Sequence, residues 1–181
     1  MKHLFIDDHE IQGIHNLARK LHQPQHFPGN VVLRPEHRWE NAGIQLGTAP
    51  IWDGSEARFK TIYVADAAAP DGGDDGRHTY SCYAESTDGI NWEKPFLGLC
   101  DYPEPTWTGN PIGKANNILP SLAGVLRGPL YDAAERDERR RYKGFCHGAK
   151  GLHRVVSSDC LHWEEMAADP LPSHDVAQLT L

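Results

Sequence analysis

From residue 43 onward the chain runs as short stretches in which apolar and polar positions alternate, each closed by Gly, Asp or Pro. That period-two texture predicts strands joined by tight turns rather than helices. "GIQLGTAPIWD" (43–53), "RFKTIYVAD" (58–66), "HTYSCYAES" (78–86) and "INWEKP" (90–95) predict one antiparallel four-stranded sheet, with the Gly- and Asp-rich loop "AAAPDGGDDGR" as an excursion between the second and third strands. The order repeats: "NNILPSLAGVLRGPLYD" (116–132), "RYKGFCHGAKG" (141–151), "LHRVVSS" (152–158) and "CLHWEEM" (160–166) predict a second such sheet. The first 42 residues read differently. "LFIDDHEI" is a short strand-like run, Ile14, Leu17, Ala18 and Leu21 have weak helical spacing, and Pro24, Pro28 and Pro35 then enforce an extended lead-in.

The two halves share a phrase. Ser86-x-Asp88-x-x-x-Trp92 returns 71 positions later as Ser157-x-Asp159-x-x-x-Trp163. A Ser and an Asp two residues apart can satisfy turn amides through their oxygens, Gly89 suits a tight hairpin, and the indole can fold back as an apolar plug. Those residues are read as architecture. With Cys160 in place of glycine, the second turn is expected to be less regular. Two four-stranded meanders in succession fit neighbouring blades of a β-propeller better than one sandwich.

Composition narrows the function classes. Hydrophobic residues make up 39% and charged residues 24%, enough for a packed core. The net charge of −7 argues against a nucleic-acid footprint, and the basic run Arg136–Arg141 is interleaved with Glu135, Asp137 and Glu138, as in a solvated loop. No stretch approaches the ~18 apolar residues of a membrane span, and the charged start has no signal-peptide core, so a cytoplasmic chain without membrane contact is expected. Cys82, Cys100, Cys146 and Cys160 are spaced as unpaired thiols, and the eleven histidines form no metal-ligand motif. Neither a metal nor a cofactor is expected.

"LFIDDHEI", "LHQP", "VVLRPEHRWE", "YAESTDGINWEKPFLGL", "NNI" and "RYKGF" followed by "SSDCLHW" together resemble bacterial proteins related to glycoside hydrolase families 32 and 43. The resemblance implies a five-bladed β-propeller and hydrolysis of glycosidic bonds in a carbohydrate substrate. Five blades of about 40–70 residues would need over ~200, so the fold expected here is all-β and a partial propeller. Its parts are a lead-in (1–42), blade 1 (43–96), a connection (97–116), blade 2 (117–166) and the first strand of a third blade (167–181). An exposed blade edge would then favour self-association.

Glycoside cleavage takes one carboxylic acid and one carboxylate, and in such a propeller these project from the starts of the innermost strands. The residues at those positions are Trp39, Glu40, Asn116, Asn117, His174 and Asp175. Glu40 and Asp175 are the catalytic candidates, Trp39 offers a face for a sugar ring, and Asn116, Asn117 and His174 are candidates for hydroxyl recognition. Asp7 and Asp8 rank below them. The alternative reading is a non-catalytic carbohydrate-binding or scaffold propeller, favoured because the Glu-Cys acid motif of family 32 does not occur in the sequence.

Overall fold

The computed structural model describes residues 11–18, 20–68, 78–101, 113–173 and 179. The chain divides into two compact units, Met1–Asn30 and Val31–Leu181. In the first, residues 11–30 hold no helix where they are described, although the apolar spacing hinted at one. Asn16 has φ 55°, outside the helical region, and Leu17 and Leu21 are about four-fifths exposed (79% and 82%). A helix this short needs a surface to bury its stripe against, and these leucines have none.

The second unit is all-β. Its first sheet comprises β1 (Gly43–Leu46), β2 (Ile51–Asp53), β3 (Arg58–Ala67) and β4 (His78–Ser86), all antiparallel. The run 43–53 is one strand broken in two: β1 pairs with the later half of β3 and β2 with its beginning, on the same edge. Pro50 at the break has no amide to donate, and the Thr48 hydroxyl instead donates to the Gly128 carbonyl at 2.6 Å. β4 takes the other edge of β3. The fourth expected strand is reduced to one bridge, Glu85 with Glu93, and Ile118 bridges Cys82 farther along the same edge.

The second sheet, β5 (Val125–Tyr131), β6 (Tyr142–Gly148), β7 (Gly151–Ser157) and β8 (Trp163–Glu165), is a plain meander. Its first strand is interrupted too, by a register shift between Arg127 and Leu130. Gly128 there has φ 139°, which a side chain would oppose. The registers of the two sheets coincide: Glu85 faces Glu93 and Val156 faces Glu164, both displaced by 71 residues, while Ser86 lies opposite Phe59 and Ser157 opposite Tyr142.

The repeated phrase closes equivalent hairpins. Ser86 accepts from the Asp88 and Gly89 amides at 3.2 and 2.9 Å, and Ser157 from those of Asp159 and Cys160 at 3.2 and 3.0 Å. Asp88 and Asp159 each cap the next two amides at 2.7–2.8 Å. Gly89 and Cys160 share the left-handed conformation, φ 74° and 70°, so the cysteine adopts the glycine geometry instead of loosening the turn. Trp92 and Trp163 fold back, each indole donating to the carbonyl three residues earlier. Both are half-buried, so Trp163→Ala should lower stability by about 2–3 kcal/mol, short of a fully buried indole, when measured by urea titration. A loss under about 0.5 kcal/mol would show the plug to be dispensable.

The sheets pack face to face. Ile62 and Tyr83 of the first meet Leu126, Tyr142, Cys146 and Val155 of the second. The opposite face of the first sheet, with Tyr63, Ala65 and Ala67, is covered by Trp39 and Leu33 of the lead-in and by Trp92. The segment 31–40, mostly exposed itself, thus contributes Leu33, Trp39 and Glu40 to the interior of this unit.

Candidate functional site

Among the described residues of the second unit, two polar clusters are buried around a carboxylate and a lysine. In the first, Asp53 ends β2 and its Oδ1 accepts from the Ser55 amide at 2.9 Å and the Ser55 hydroxyl at 2.6 Å. Lys60, one turn of hairpin later, pairs with Asp53 at 3.0 Å and Glu56 at 2.8 Å, and the Tyr142 hydroxyl of the second sheet donates to Asp53. Burial alone would raise the Asp53 carboxyl, but hydrogen bonds from Ser55, Tyr142 and Lys60 outweigh it and hold it well below the usual carboxylate range. The motif recurs: Lys143 pairs with Asp132 at 2.7 Å and Glu135 at 3.1 Å. A device present in both sheets belongs to the architecture.

The second cluster has no counterpart among the described residues of the other sheet, which makes it the candidate site. A short 3-10 turn, Arg38–Glu40, precedes β1 and turns Trp39 and Glu40 inward. Glu40 is fully buried, with one oxygen accepting from the Tyr63 hydroxyl at 2.5 Å and from Lys94 at 3.0 Å. The other accepts from the Glu36 and His37 amides at 2.6 and 3.0 Å and from Lys94 at 2.8 Å. Burial pushes the Glu40 carboxyl up, yet these five hydrogen bonds from four groups prevail and it is held ionised, below its ordinary value. Asn117 completes the network. Its Oδ1 accepts from the Trp39 indole at 3.1 Å, and its amide donates to the Tyr63 hydroxyl at 2.6 Å and the Tyr83 carbonyl at 2.8 Å.

Of the residues expected to converge, Trp39, Glu40 and Asn117 are brought together by Tyr63, and Asn116 is turned elsewhere. The Asn116 amide donates to the carbonyls of Cys100 and Gly113 at 3.0 and 2.6 Å, holding the two ends of the connection. His174 and Asp175, like Asp7 and Asp8, lie outside the described residues. Lys94 and Tyr63 stand outside the positions that the strand pattern marks. Tyr63 sits in an unbroken apolar run without a local signal, whereas Lys94 follows the first Trp of the repeat where the second has Glu165, a sign difference between otherwise matched units.

An open cleft of about 380 Å³ lies where β4 and β5 begin, lined by His78, Thr79, Tyr80, Ser81, Ser121 and Val125 among others. The rings of His78 and Tyr80 are stacked with centroids 6.3 Å apart, and Thr79 donates to Asp66 at 2.8 Å. This is the end of the sheet that Asn41, next to Glu40, ties down through the backbone of Ala68. Among the described residues no three His, Cys, Asp or Glu side chains gather as a metal site, and no helix is long and apolar enough to cross a membrane. Comparison of the chain with family models, with curated proteins and with solved structures finds no match.

Proposed function

We propose that the chain is a carbohydrate-binding module of β-propeller type, similar to glycoside hydrolase families 32 and 43, in which Glu40 organises the fold and takes no part in acid–base chemistry. The observation that carries this reading is the enclosure of Glu40: it is fully buried, and five hydrogen bonds from four groups occupy its two oxygens. A catalytic carboxyl must reach the glycosidic oxygen or the anomeric carbon, and an acid must hold a proton to give. Held ionised and covered, Glu40 does neither.

The cleft beside β4 and β5 supports saccharide binding. Its volume falls in the range of small-ligand sites, and stacked rings with neighbouring hydroxyls match the mixed apolar and polar faces of a sugar. The propeller reading draws support from the way the sheets meet: the Lys60 face of one abuts the Tyr142 face of the next, as in blades set side by side in one rotational sense.

Hydrolysis remains the second reading, favoured by the convergence of Trp39, Glu40 and Asn117 before the first strands of both sheets. A glycan array with a panel of aryl glycosides separates the two. Binding without turnover is expected, and His78→Ala should weaken it by about tenfold at unchanged melting temperature, since His78 is exposed. Turnover abolished by Glu40→Gln in a folded protein would establish hydrolysis instead. Neither binding nor turnover across the panel would end the carbohydrate reading.

A further inference from the structure

The two sheets do not meet through the same face. Lys60 and Ile62 of β3 point toward the second sheet, whereas Tyr142, Gly144 and Cys146 of β6 point back at the first. In the shared register Tyr142 corresponds to Phe59, and Lys143 to Lys60, because Phe59 and Tyr142 lie opposite Ser86 and Ser157. Each sheet therefore has an Asp-Glu-Lys face and an aromatic face on opposite sides. The contact inside the chain joins the Asp-Glu-Lys face of the first to the aromatic face of the second. There the Lys60 ammonium lies 4.9 Å from the centre of the Tyr142 ring and 2.7 Å from its hydroxyl.

Among the described residues, one half of the same contact is left uncovered in each sheet. Trp52 and Phe59, which pair across β2 and β3 as Tyr131 and Tyr142 pair across β5 and β6, pack edge to face at 4.8 Å with Trp52 47% exposed. In the second sheet the side chains of Asp132 and Lys143 remain 18% and 25% exposed, against 2% or less for Asp53 and Lys60 in the closed contact, while the glutamates lie at the margin of both, Glu135 23% and Glu56 51% exposed. The leftover faces are complementary: an apolar ring pair, and an ammonium whose counterpart already sits over a ring.

We infer that the Asp132–Glu135–Lys143 face receives the Trp52–Phe59 face of a second copy of this chain, head to tail, in the manner in which the two sheets already meet. Phe59 has no hydroxyl to match that of Tyr142, so the contact between copies keeps the ring over the ammonium and lacks the hydrogen bond to the aspartate. Such a contact is heterologous, so it either extends copy by copy or closes into a ring. The inference does not depend on the saccharide reading.

Sedimentation over a range of protein concentration, with one variant on the ring face and two on the Lys143 face, tests it. Trp52→Ser removes the exposed ring. Lys143→Ser removes the ammonium, and Val156→Arg, on the same face as Lys143, blocks it with the ion pairs intact. The wild-type chain should grow in mass with concentration, and each variant should weaken that association by about tenfold or more with an unchanged β-sheet circular dichroism spectrum. Trp52→Ser mixed with Val156→Arg should form a one-to-one dimer and stop there, since each supplies the face the other lacks. A wild-type chain monomeric throughout, association that loses nothing to one of the two face variants, or a mixture that gives no dimer would overturn the proposal. The last two results would point to a symmetric contact through one face or to an edge.

Discussion

Glu40→Ala should lower the stability of the fold by about 3–5 kcal/mol, because it strands an ammonium in the interior. The Lys94 side chain is only 3% exposed, and apart from Glu40 it meets the Arg34 carbonyl at 2.5 Å and, more distantly at 3.6 Å, the carboxylate of Glu36, which is itself 63% exposed and a weaker partner. The same change leaves the Tyr63 hydroxyl and the Glu36 and His37 amides without their acceptor. Glu40→Gln keeps the shape and should cost nearly as much, since the charge is what Lys94 needs. Lys94→Met alone should also destabilise, whereas Glu40→Gln combined with Lys94→Met should lose much less than the sum, the coupling being the signature of a buried pair. Urea titration of the four proteins gives the cycle directly. A loss below about 1 kcal/mol for Glu40→Ala would mean that water reaches the cluster, and would return Glu40 to the list of residues able to meet a substrate.

Lys60→Met should have an effect of similar size, again about 3–5 kcal/mol, by leaving Asp53 charged and fully buried without its ammonium, held by hydrogen bonds from Ser55, Tyr142 and the Glu56 amide. This pair also sets a pH window. The Asp53 carboxyl is held below its unfolded value of about 4, so its contribution is present above that pH and is lost as pH falls toward the folded value. For Lys60, burial pulls the ammonium down, but Glu56 and Asp53 more than reverse this and raise it. Its contribution is therefore complete below about pH 10 and lost as pH rises through the folded value. Stability should be flat between these limits and fall on the acid side, and Asp53→Asn should flatten that acid slope while lowering the plateau. An acid slope unchanged in Asp53→Asn would assign it to other carboxylates.

Much of the fold could be read from residues because sheets of this kind are local: each strand pairs with the next, and alternation plus turn chemistry records that pairing in order. The 71-residue return of Ser-x-Asp-x-x-x-Trp marked equivalent hairpins, and the registers coincide there. Alternation could not mark the break between Leu46 and Ile51, since two halves of one strand read like one strand until the hydrogen bonds of Thr48 and the rest of the turn are known. The Asp53-Glu56-Lys60 motif and its echo in Asp132, Glu135 and Lys143 were present in the sequence, but a loop of different length separates Glu from Lys in the two copies and hides the match. The candidate site was legible only as positions before first strands. What makes Glu40 a covered carboxylate is supplied by Tyr63 and Lys94, 23 and 54 residues away, and no local pattern relates residues that meet across a folded face.

The clamp formed by Asn116 has a consequence for how such a chain can change. Its amide holds the carbonyls of Cys100 and Gly113, and its own carbonyl accepts from the Leu97 amide at 2.7 Å, so both ends of the connection are fixed to the first sheet independently of what runs between them. Closing a longer loop between fixed ends adds only about 0.6 kcal/mol for each doubling of its length. Residues inserted between these two held ends should therefore cost the sheets little, because the contacts of Asn116 and Leu97 stay as they are.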